Sequence, residues 1–308
     1  MVELISIVVP LYNKEGHIGK TLDSILDQTY KEFEVLVVDD GSTDASADVV
    51  RSYTDHRIQL IQTSNQGVSS ARNKGIEAAR GHWVAFLDAD DWWDISFLSV
   101  MKCAIENYPE NKIFASGRSR VFKDQTERYA HKLLPAVGES CILNYFQVIA
   151  TDLPLINSSN ACMDKALLIE HNGFNPGQRK HEDHDLWMRI CTNNAVVFVN
   201  RNLSFYNKIQ ENSAAAQPYR FEDFNGYLDT MTLVYQKLDK TEQAWMRKYA
   251  FNFLLHKWLK NKASYTSEQL AILYGKSKAL LSANGKRLLW FVYRLPLEQF
   301  YYSLKKFR

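Results

Sequence analysis

Two carboxylates stand two residues apart at the end of the hydrophobic segment 83–87. They belong to Asp88 and Asp90, and in an extended chain residues i and i+2 point to the same side. Mg²⁺ or Mn²⁺, bound by one or two carboxylates and a substrate diphosphate, would offset the repulsion between the two charges. The alternative is a solvated turn into a helix, with Asp91 or Asp94 as its N-cap.

A second acidic segment contains Asp39, Asp40, Gly41 and Ser42, directly after hydrophobic residues 35–38. A buried strand here would deliver a carboxylate into a tight Gly-Ser turn that leads into a helix. Such a carboxylate can accept a hydrogen bond from the imide N–H of a uracil or thymine ring. The alternative is an ordinary Asp-Gly turn, with Asp44 capping the following helix.

The N-terminal part of the chain supplies the elements that would position these acids. Short β-rich runs alternate with helical patterns, which is typical of βαβ units on a mainly parallel sheet. Loops that follow parallel strands gather at the carboxyl edge of the sheet, where open α/β folds bind ligands, so we expect the acids there. The predicted strands are 5–10, 34–39, 58–62 and 83–88, and the predicted helices lie near 18–26, 45–53 and 68–79.

The remainder of the chain divides into a mixed part and a helical part. Residues 112–210 contain predicted strands at 113–115, 196–199 and 203–206 and helices near 143–149 and 183–191. Beyond residue 216 helical patterns follow one another, over 227–238, 243–260, 267–281 and 287–306.

Composition excludes several classes of protein. The net charge is +2, from 37 Lys and Arg against 35 Asp and Glu, which does not fit a strongly basic nucleic-acid binder. The four cysteines are far apart, so neither a disulfide framework nor a zinc site is indicated. No apolar run approaches the roughly 20 residues that span a bilayer, and segment 4–11 lacks the marks of a signal peptide. The expected location is the cytoplasm.

Five segments form an ordered set that carries a more specific indication. They are 6–13 (SIVVPLYN), 37–44 (VVDDGSTD), 65–75 (NQGVSSARNKG), 86–91 (FLDADD) and 182–189 (EDHDLWMR). In order and spacing they resemble the motifs of family 2 glycosyltransferases, and the last resembles the family's E-D-x-D-L-W-x-R segment, which carries the catalytic base.

The resemblance implies a GT-A fold, a Rossmann-like, mainly parallel sheet flanked by helices, here with a helical C-terminal region. We expect a catalytic domain over 1–215, with a nucleotide-sugar-binding half (1–111) and an acceptor half (112–215), followed by the helical region 216–308. The implied reaction is inverting transfer of a sugar from a nucleotide-diphosphate donor to a glycan or lipid-linked glycan hydroxyl, with Mn²⁺ or Mg²⁺. Bacterial surface polysaccharide assembly is the implied setting.

The resemblance also implies which residues bind the nucleotide. Asp40 matches the position whose carboxylate reads the base, which favours uridine, and thymidine or guanosine donors are the alternatives. Arg72 falls where the family contacts the nucleotide. The backbone around Pro10 and Tyr12 is expected to line the nucleoside pocket.

The metal and the base are implied in the same way. Asp88 is expected at the ribose or diphosphate, Asp90 on the metal directly and Asp91 as a second ligand, although spacing does not choose among the three. Asp183 is expected to be the general base, since a positioned carboxylate that removes a hydroxyl proton contributes roughly 10²- to 10⁴-fold. The alternative is that Glu182 and Asp183 only favour a helix N-terminus through its dipole.

The chain departs from the family pattern in two places. Ile209 stands where many relatives place a metal-binding histidine, so the third protein ligand is absent, is replaced by water, or comes from His181 or His184. Trp92 and Trp93 follow Asp91 without the common proline. Either ring is able to stack on a sugar, and core packing is the alternative role.

The C-terminal segment 286–308 is basic and aromatic. Such a helix suits the surface of an anionic membrane, which would bring the protein to a lipid-linked acceptor. The alternative is a helix packed on the protein with a solvated basic side.

Other functions compete with glycosyl transfer. A sugar nucleotidyltransferase normally has a Gly-rich loop behind its first strand, where this chain reads LYNKE. Dehydrogenases and P-loop NTPases are excluded because G-x-G-x-x-G and G-x-x-x-x-G-K-[ST] are absent. A catalytically idle relative that binds nucleotide-sugar or scaffolds an assembly stays open.

Overall fold

The structure is a computed structural model that describes residues 3–209 and 219–294. Its strands join in one ten-stranded sheet. They are β1 (Ile5–Leu11), β2 (Phe33–Asp39), β3 (Ile58–Gln62), β4 (Trp83–Phe86), β5 (Trp92–Trp93), β6 (Ile113–Val121), β7 (Thr126–Arg128), β8 (Ser140–Leu143), β9 (Ala161–Asp164) and β10 (Val196–Asn207). The helices are α1 (Ile18–Leu26), α2 (Ser46–Arg51), α3 (Val68–Ala78), α4 (Phe97–Asn107), α5 (Tyr145–Ile149), α6 (Lys165–Glu170), α7 (Glu182–Ile190), α8 (Phe221–Lys237), α9 (Lys240–Asn261), α10 (Ser267–Ala279) and α11 (Ala283–Arg294).

The sheet runs in the order β3-β2-β1-β4-β9-β6-β10-β5, with β7 on β6 and β8 on β10. Strands β3, β2, β1 and β4 are mutually parallel, as the alternating pattern predicts. Beyond them β9 lies antiparallel between β4 and β6, while β6 and β10 are parallel. The sheet is therefore parallel in its first half and mixed in its second.

Helices cover both faces of β1 and β2, which explains why these strands are buried along their whole length instead of alternating. On one face, Ile7 and Val9 join a core with Ile18 and Leu22 of α1. On the other face α3 packs so closely that a Cβ on Gly75 would lie 2.3 Å from Cγ1 of Val8.

Several predicted elements differ from the observed ones. The predicted strand 113–115 extends to Val121, and the predicted strands at 196–199 and 203–206 are one strand, β10, whose register with β6 shifts between Val199 and Asn202 and again before Ser204. The short strand β9 and the helix α4 are absent from the sequence prediction. Both lie between motifs, and β9 is only four residues long.

The chain divides into two compact units, one of Met1–Tyr145 with Pro154–Ala216 and one of Phe146–Leu153 with Gln217–Arg308. The first contains the sheet. The second contains α8 to α11, and the end of the predicted helix 287–306 lies outside the described residues. The expected domain boundary at 215 and the two catalytic halves stay predictions, and segment 146–153 groups with the second unit. None of the helices described is long and apolar enough to cross a membrane.

Candidate active site

The acidic segment after β4 contains one buried and two partly exposed carboxylates. Asp91 is 1% exposed, and its oxygens accept hydrogen bonds from Ser159 Oγ at 2.5 Å and from the Asn207 backbone N–H at 2.9 Å. Burial, and then the charges of Asp88 and Asp90, raise the pKa of Asp91 well above its ordinary value. Asp91 thus joins the loop after β4 to the end of β10, and both its oxygens are engaged within the protein.

Asp88 and Asp90 each face a cation. Lys14 Nζ lies 2.7 Å from Asp90 Oδ2, and Arg72 Nη2 lies 2.7 Å from Asp88 Oδ1. Both carboxylates keep part of their surface exposed. Lys14 had no predicted role. Its position in the loop after β1, two residues after Tyr12, could have indicated that it belongs to the site.

Arg72 connects the two acidic segments. Its side chain is 3% exposed, and Nη1 lies 3.1 Å from Glu182 Oε1 while Nη2 holds Asp88. Burial opposes the charge of this guanidinium, but Asp88 and Glu182 outweigh that effect and raise its pKa. One buried side chain of α3 therefore fixes the loop after β4 against the N-terminus of α7.

Asp183 lies beside this junction, in the first turn of α7. His181, the residue just before α7, takes a left-handed conformation with φ 58°, so the chain turns sharply into the helix. Asp183 Oδ1 accepts the His184 backbone N–H at 2.7 Å, and among the described residues its carboxylate forms no ion pair. Burial, and then the charge of Asp183, raise the pKa of Glu182 to about 7.

The hydroxyl of Tyr206 is affected by the charges of both acidic segments. Burial raises the pKa of its hydroxyl above the ordinary value, and the charges of Asp91, Asp88, Asp90 and Asp183 add to the effect. Asp91 and Asp183 are 92 residues apart in the chain, and the two ion pairs of Arg72 join the segments that contain them. The side chain of Tyr206 had no predicted role.

Basic side chains border Tyr206. Lys208 Nζ lies 3.1 Å from the Tyr206 hydroxyl. Arg120 of β6 is paired with Tyr206 in the register of β6 and β10. Burial, and then the charge of Arg120, lower the pKa of Lys208. The charges of Asp91 and Asp90 oppose this lowering, so Lys208 is a second cation near the acids after β4.

The predicted nucleoside pocket is built on a tightly bonded loop. Asp40 is 4% exposed, and its two oxygens accept the backbone N–H groups of Gln66 at 2.8 Å and Gly67 at 2.7 Å. Asp40 thereby fixes the start of α3, the helix that contains Arg72. Oδ1 also accepts a hydrogen bond from Thr63 Oγ1 at 3.4 Å. An ionised carboxylate has about four acceptor positions, so these three bonds leave capacity for one further donor. Nearby, Tyr12 is 46% exposed and Pro10 is buried in β1.

The alternative roles of Asp94 and Asp44, as caps of the helices that follow them, are partly confirmed. Asp94 Oδ1 accepts the Ser96 backbone N–H just before α4, and Asp44 accepts the Ser46 backbone N–H at the start of α2. Asp91 does not act as a cap.

The two tryptophans differ in environment. Trp93 is 3% exposed and stacks on Phe97, with ring centroids 4.0 Å apart, so it belongs to the core. Trp92 is half-buried, stacks on Phe205 at 5.7 Å and has Lys20 Nζ over its ring.

A divalent ion fits this structure only in part. In the ranges 3–209 and 219–294, no three His, Cys, Asp or Glu side chains are grouped as a metal site. His181 and His184 contact each other edge to face at 5.2 Å, and Ile209 is exposed. Asp90 offers a partly exposed carboxylate amid like charges, and Lys14 engages one of its two oxygens.

The comparison with protein families decides what kind of chain this is. A family model described as glycosyl transferase family 2 matches residues 6–171, which include four of the five motifs. The chain belongs to this family. The family assignment was predicted from those motifs and is confirmed.

Several relatives of this family 2 chain are known by sequence. It is 43% identical over 106 residues to glycosyltransferase GlyA of Streptococcus pneumoniae, a match that covers 34% of this chain and 15% of GlyA. It is 27% identical over 224 residues to UDP-Glc:alpha-D-GlcNAc-diphosphoundecaprenol beta-1,3-glucosyltransferase WfaP of Escherichia coli, covering 71% of this chain and 82% of WfaP. The chain spans 42% of Bacillus subtilis EpsH, so it corresponds to a minor part of some relatives.

The fold has a solved counterpart. Residues 1–349 of S. aureus TarS, crystallised with UDP-GlcNAc, superpose with a TM-score of 0.71, covering 94% of this chain and 86% of that one at 20% identity. The predicted GT-A fold with a helical C-terminal region is thereby confirmed. At this identity the likeness concerns the fold alone.

Proposed function

We propose that this chain is an inverting glycosyltransferase that moves a sugar from a uridine-diphosphate donor to a hydroxyl of a glycan or lipid-linked glycan. Bacterial surface polysaccharide assembly, on the cytoplasmic side of the membrane, is the proposed setting. The observation that carries the proposal is the pair of ion pairs made by Arg72, which sets the acids after β4 beside the start of α7.

The proposed base is Asp183. It is partly exposed, has no ion-pair partner among the described residues and stands next to Glu182, which Arg72 fixes. As Asp183 takes the proton of the acceptor hydroxyl, that oxygen attacks the anomeric carbon and the nucleotide diphosphate leaves from the opposite face. One carboxylate suffices, because a diphosphate leaves without the protonation that glycoside hydrolysis requires.

The proposed donor site uses both rigid and exposed groups. Asp40 would receive the base through its remaining acceptor capacity, and Pro10 and Tyr12 would line the pocket. Lys14 and Lys208 provide positive charge near the diphosphate, alongside Mn²⁺ or Mg²⁺ at Asp90. The ion would offset the negative charge that develops on the leaving diphosphate. Asp91, with both oxygens engaged, would hold the loop that contains Asp90 in place.

Two relatives support the donor and acceptor classes. TarS was crystallised with UDP-GlcNAc and with UDP, and the name of WfaP specifies a UDP-sugar and an acceptor linked to a diphosphate lipid. Both agree with uridine at Asp40, and the name of WfaP also agrees with a lipid-linked glycan as acceptor.

The decisive experiment compares wild type with Asp183→Asn. We expect transfer from the active member of a UDP-sugar panel, assayed with Mn²⁺, to fall by roughly 10²- to 10⁴-fold, while UDP binding measured by calorimetry stays unchanged. Asp94→Asn, at the turn before α4, is the matched control and should retain transfer. Equal turnover in Asp183→Asn and wild type would remove Asp183 from the base role.

A second candidate is favoured by the ion pair between Lys14 and Asp90. It occupies the carboxylate that a metal would use, as expected of a relative that binds nucleotide-sugar without transferring it. UDP binding with no turnover on any donor and acceptor pair would establish this candidate instead.

A further inference from the structure

Charge is distributed unevenly along the chain. Residues 217–308 contain 16 Lys and Arg against 7 Asp and Glu, a net charge of +9. Residues 1–216 contain 21 against 28, a net charge of −7. The near-neutral total conceals a strongly basic C-terminal part, which is attracted to anionic surfaces.

Helix α11, in this basic part, has one side packed within its own unit. Gly285, Leu289 and Val292 are buried, and Tyr293 stacks on Tyr274 of α10 with ring centroids 4.6 Å apart. These contacts fix the rotation of the helix, so they also determine which residues it presents outward.

The outward side combines apolar groups with cations. Leu288, Trp290 and Phe291 are 40%, 45% and 50% exposed. Arg287 and Arg294 are exposed one turn before and one turn after the two rings, on the same side of the helix. Arginine flanking tryptophan and phenylalanine is typical of helices that lie in the headgroup region of a membrane. We call Arg287, Leu288, Trp290, Phe291 and Arg294 the aromatic–arginine face.

We propose that α11 docks its aromatic–arginine face on the surface of an anionic phospholipid bilayer. The rings and Leu288 enter the boundary between headgroups and acyl chains, and the arginines contact lipid phosphates. Because its other side is packed within its own unit, the helix lies in the plane of the membrane. This inference does not depend on the proposed transfer reaction.

Charge and apolar exposure together select this occupant. A second copy of the chain would bring two basic faces together, which repel each other. A nucleic acid would pair the arginines but leave Leu288 and Phe291 without an apolar partner. An anionic bilayer satisfies both kinds of group.

The test is co-sedimentation of the full chain with vesicles. We expect binding to vesicles of equal parts phosphatidylglycerol and phosphatidylcholine, weakening as salt is raised, and little binding to phosphatidylcholine alone. Since each basic residue near an anionic surface contributes about fivefold, Arg287→Glu/Arg294→Glu should weaken binding by at least about 25-fold. Trp290→Ala/Phe291→Ala should also weaken it, at low and high salt alike.

Two controls separate this face from general basicity. Lys237→Glu/Lys248→Glu makes the same change of charge at exposed positions of α8 and α9 and should weaken binding far less. Leu233→Ala removes another exposed apolar side chain and should have no effect. Trp290→Phe should still bind, but should lose the blue shift of tryptophan fluorescence that vesicles induce in the wild type.

Several results would overturn the proposal. They are equal binding to neutral and anionic vesicles, equal losses in the two charge-reversal pairs, and a fluorescence shift that persists in Trp290→Phe. Dimerisation abolished by Trp290→Ala, without vesicle binding, would assign the face to a second copy instead. Preference for an oligonucleotide over the anionic vesicles would assign it to nucleic acid.

Discussion

A guanidinium can hold two carboxylates at once because its N–H groups point in fixed, divergent directions. Arg72 uses this geometry, with Nη2 on Asp88 and Nη1 on Glu182. Because the side chain is almost fully buried, solvent screens these ion pairs little. We therefore regard Arg72 as a positioning residue, and a direct contact with the nucleotide stays a prediction.

Arg72→Lys tests the positioning role. One ammonium cannot keep both contacts, so we expect the free energy of unfolding to fall by about 1.5–3 kcal/mol and transfer to fall as well. The measurement is urea unfolding together with the transfer assay. Arg51→Lys, in an exposed pair with Asp48, is the control and should change stability by less than about 0.5 kcal/mol. Similar losses in both variants would contradict the assignment.

At the scale of elements, α3 determines how the site is assembled. The helix begins at a turn held by Asp40 and contains Arg72. It lies so close to β1 that a Cβ on Gly75 would clash with the side chain of Val8. A methyl group at this position would push the helix away from the sheet, and Arg72 would move with it.

Gly75→Ala should therefore destabilise the protein although alanine is the better helix former. The gain of about 1 kcal/mol in helix propensity is outweighed by an overpacking cost of about 1–3 kcal/mol or more. At Gly275 of α10 a Cβ would meet no atom within 4 Å, so Gly275→Ala should stabilise by up to about 1 kcal/mol. Urea unfolding should give opposite signs for the two variants, and equal signs would refute the packing argument.

Glu34 joins neighbouring strands at the opposite end of the sheet. Its carboxylate accepts hydrogen bonds from Ser6 of β1 and from the backbone and side chain of Arg80. Burial opposes ionisation, but these bonds together outweigh it and hold the pKa of Glu34 below its ordinary value.

A lowered pKa fixes the sign of the pH effect. The stabilising contribution of Glu34 is complete above the ordinary glutamate pKa of about 4.3 and is lost as pH falls through the lower folded value. Glu34→Gln should cost about 1.5–3 kcal/mol at neutral pH, and the gap to wild type should narrow at acidic pH. Urea unfolding at several pH values measures this, and a gap independent of pH would show that ionisation is not involved.

For the whole molecule, the sequence best predicted the elements that a local pattern of residues determines. Strand β3 and helix α1 have the predicted bounds, because a short β-rich run and a clear helical spacing define them. Arg72 joins Asp88 to Glu182 because the motifs of these two acids follow a strand and begin a helix at the same region of the fold; the roles assigned to Asp88, Asp90, Asp91 and Asp183 stay predictions.

What the sequence did not predict depends on contacts between distant segments. The antiparallel β9 brings Ser159 to Asp91, and the shifted register of β10 brings Tyr206 and Asn207 to the same acids. No local pattern encodes such pairings. For the same reason spacing did not distinguish Asp91, which is buried and engaged, from Asp90, which is partly exposed.

The bond from Asp40 to the start of α3 has a consequence for any attempt to alter donor preference. Residue 40 is bonded to the start of α3 and residue 72 lies within the same helix, so a movement at one is transmitted to the other. A substitution chosen to accommodate a different nucleobase at residue 40 would also release the helix that holds Glu182, the neighbour of the proposed base Asp183. Reprogramming of the donor would therefore begin with a loss of turnover, and its recovery would require compensating changes along α3.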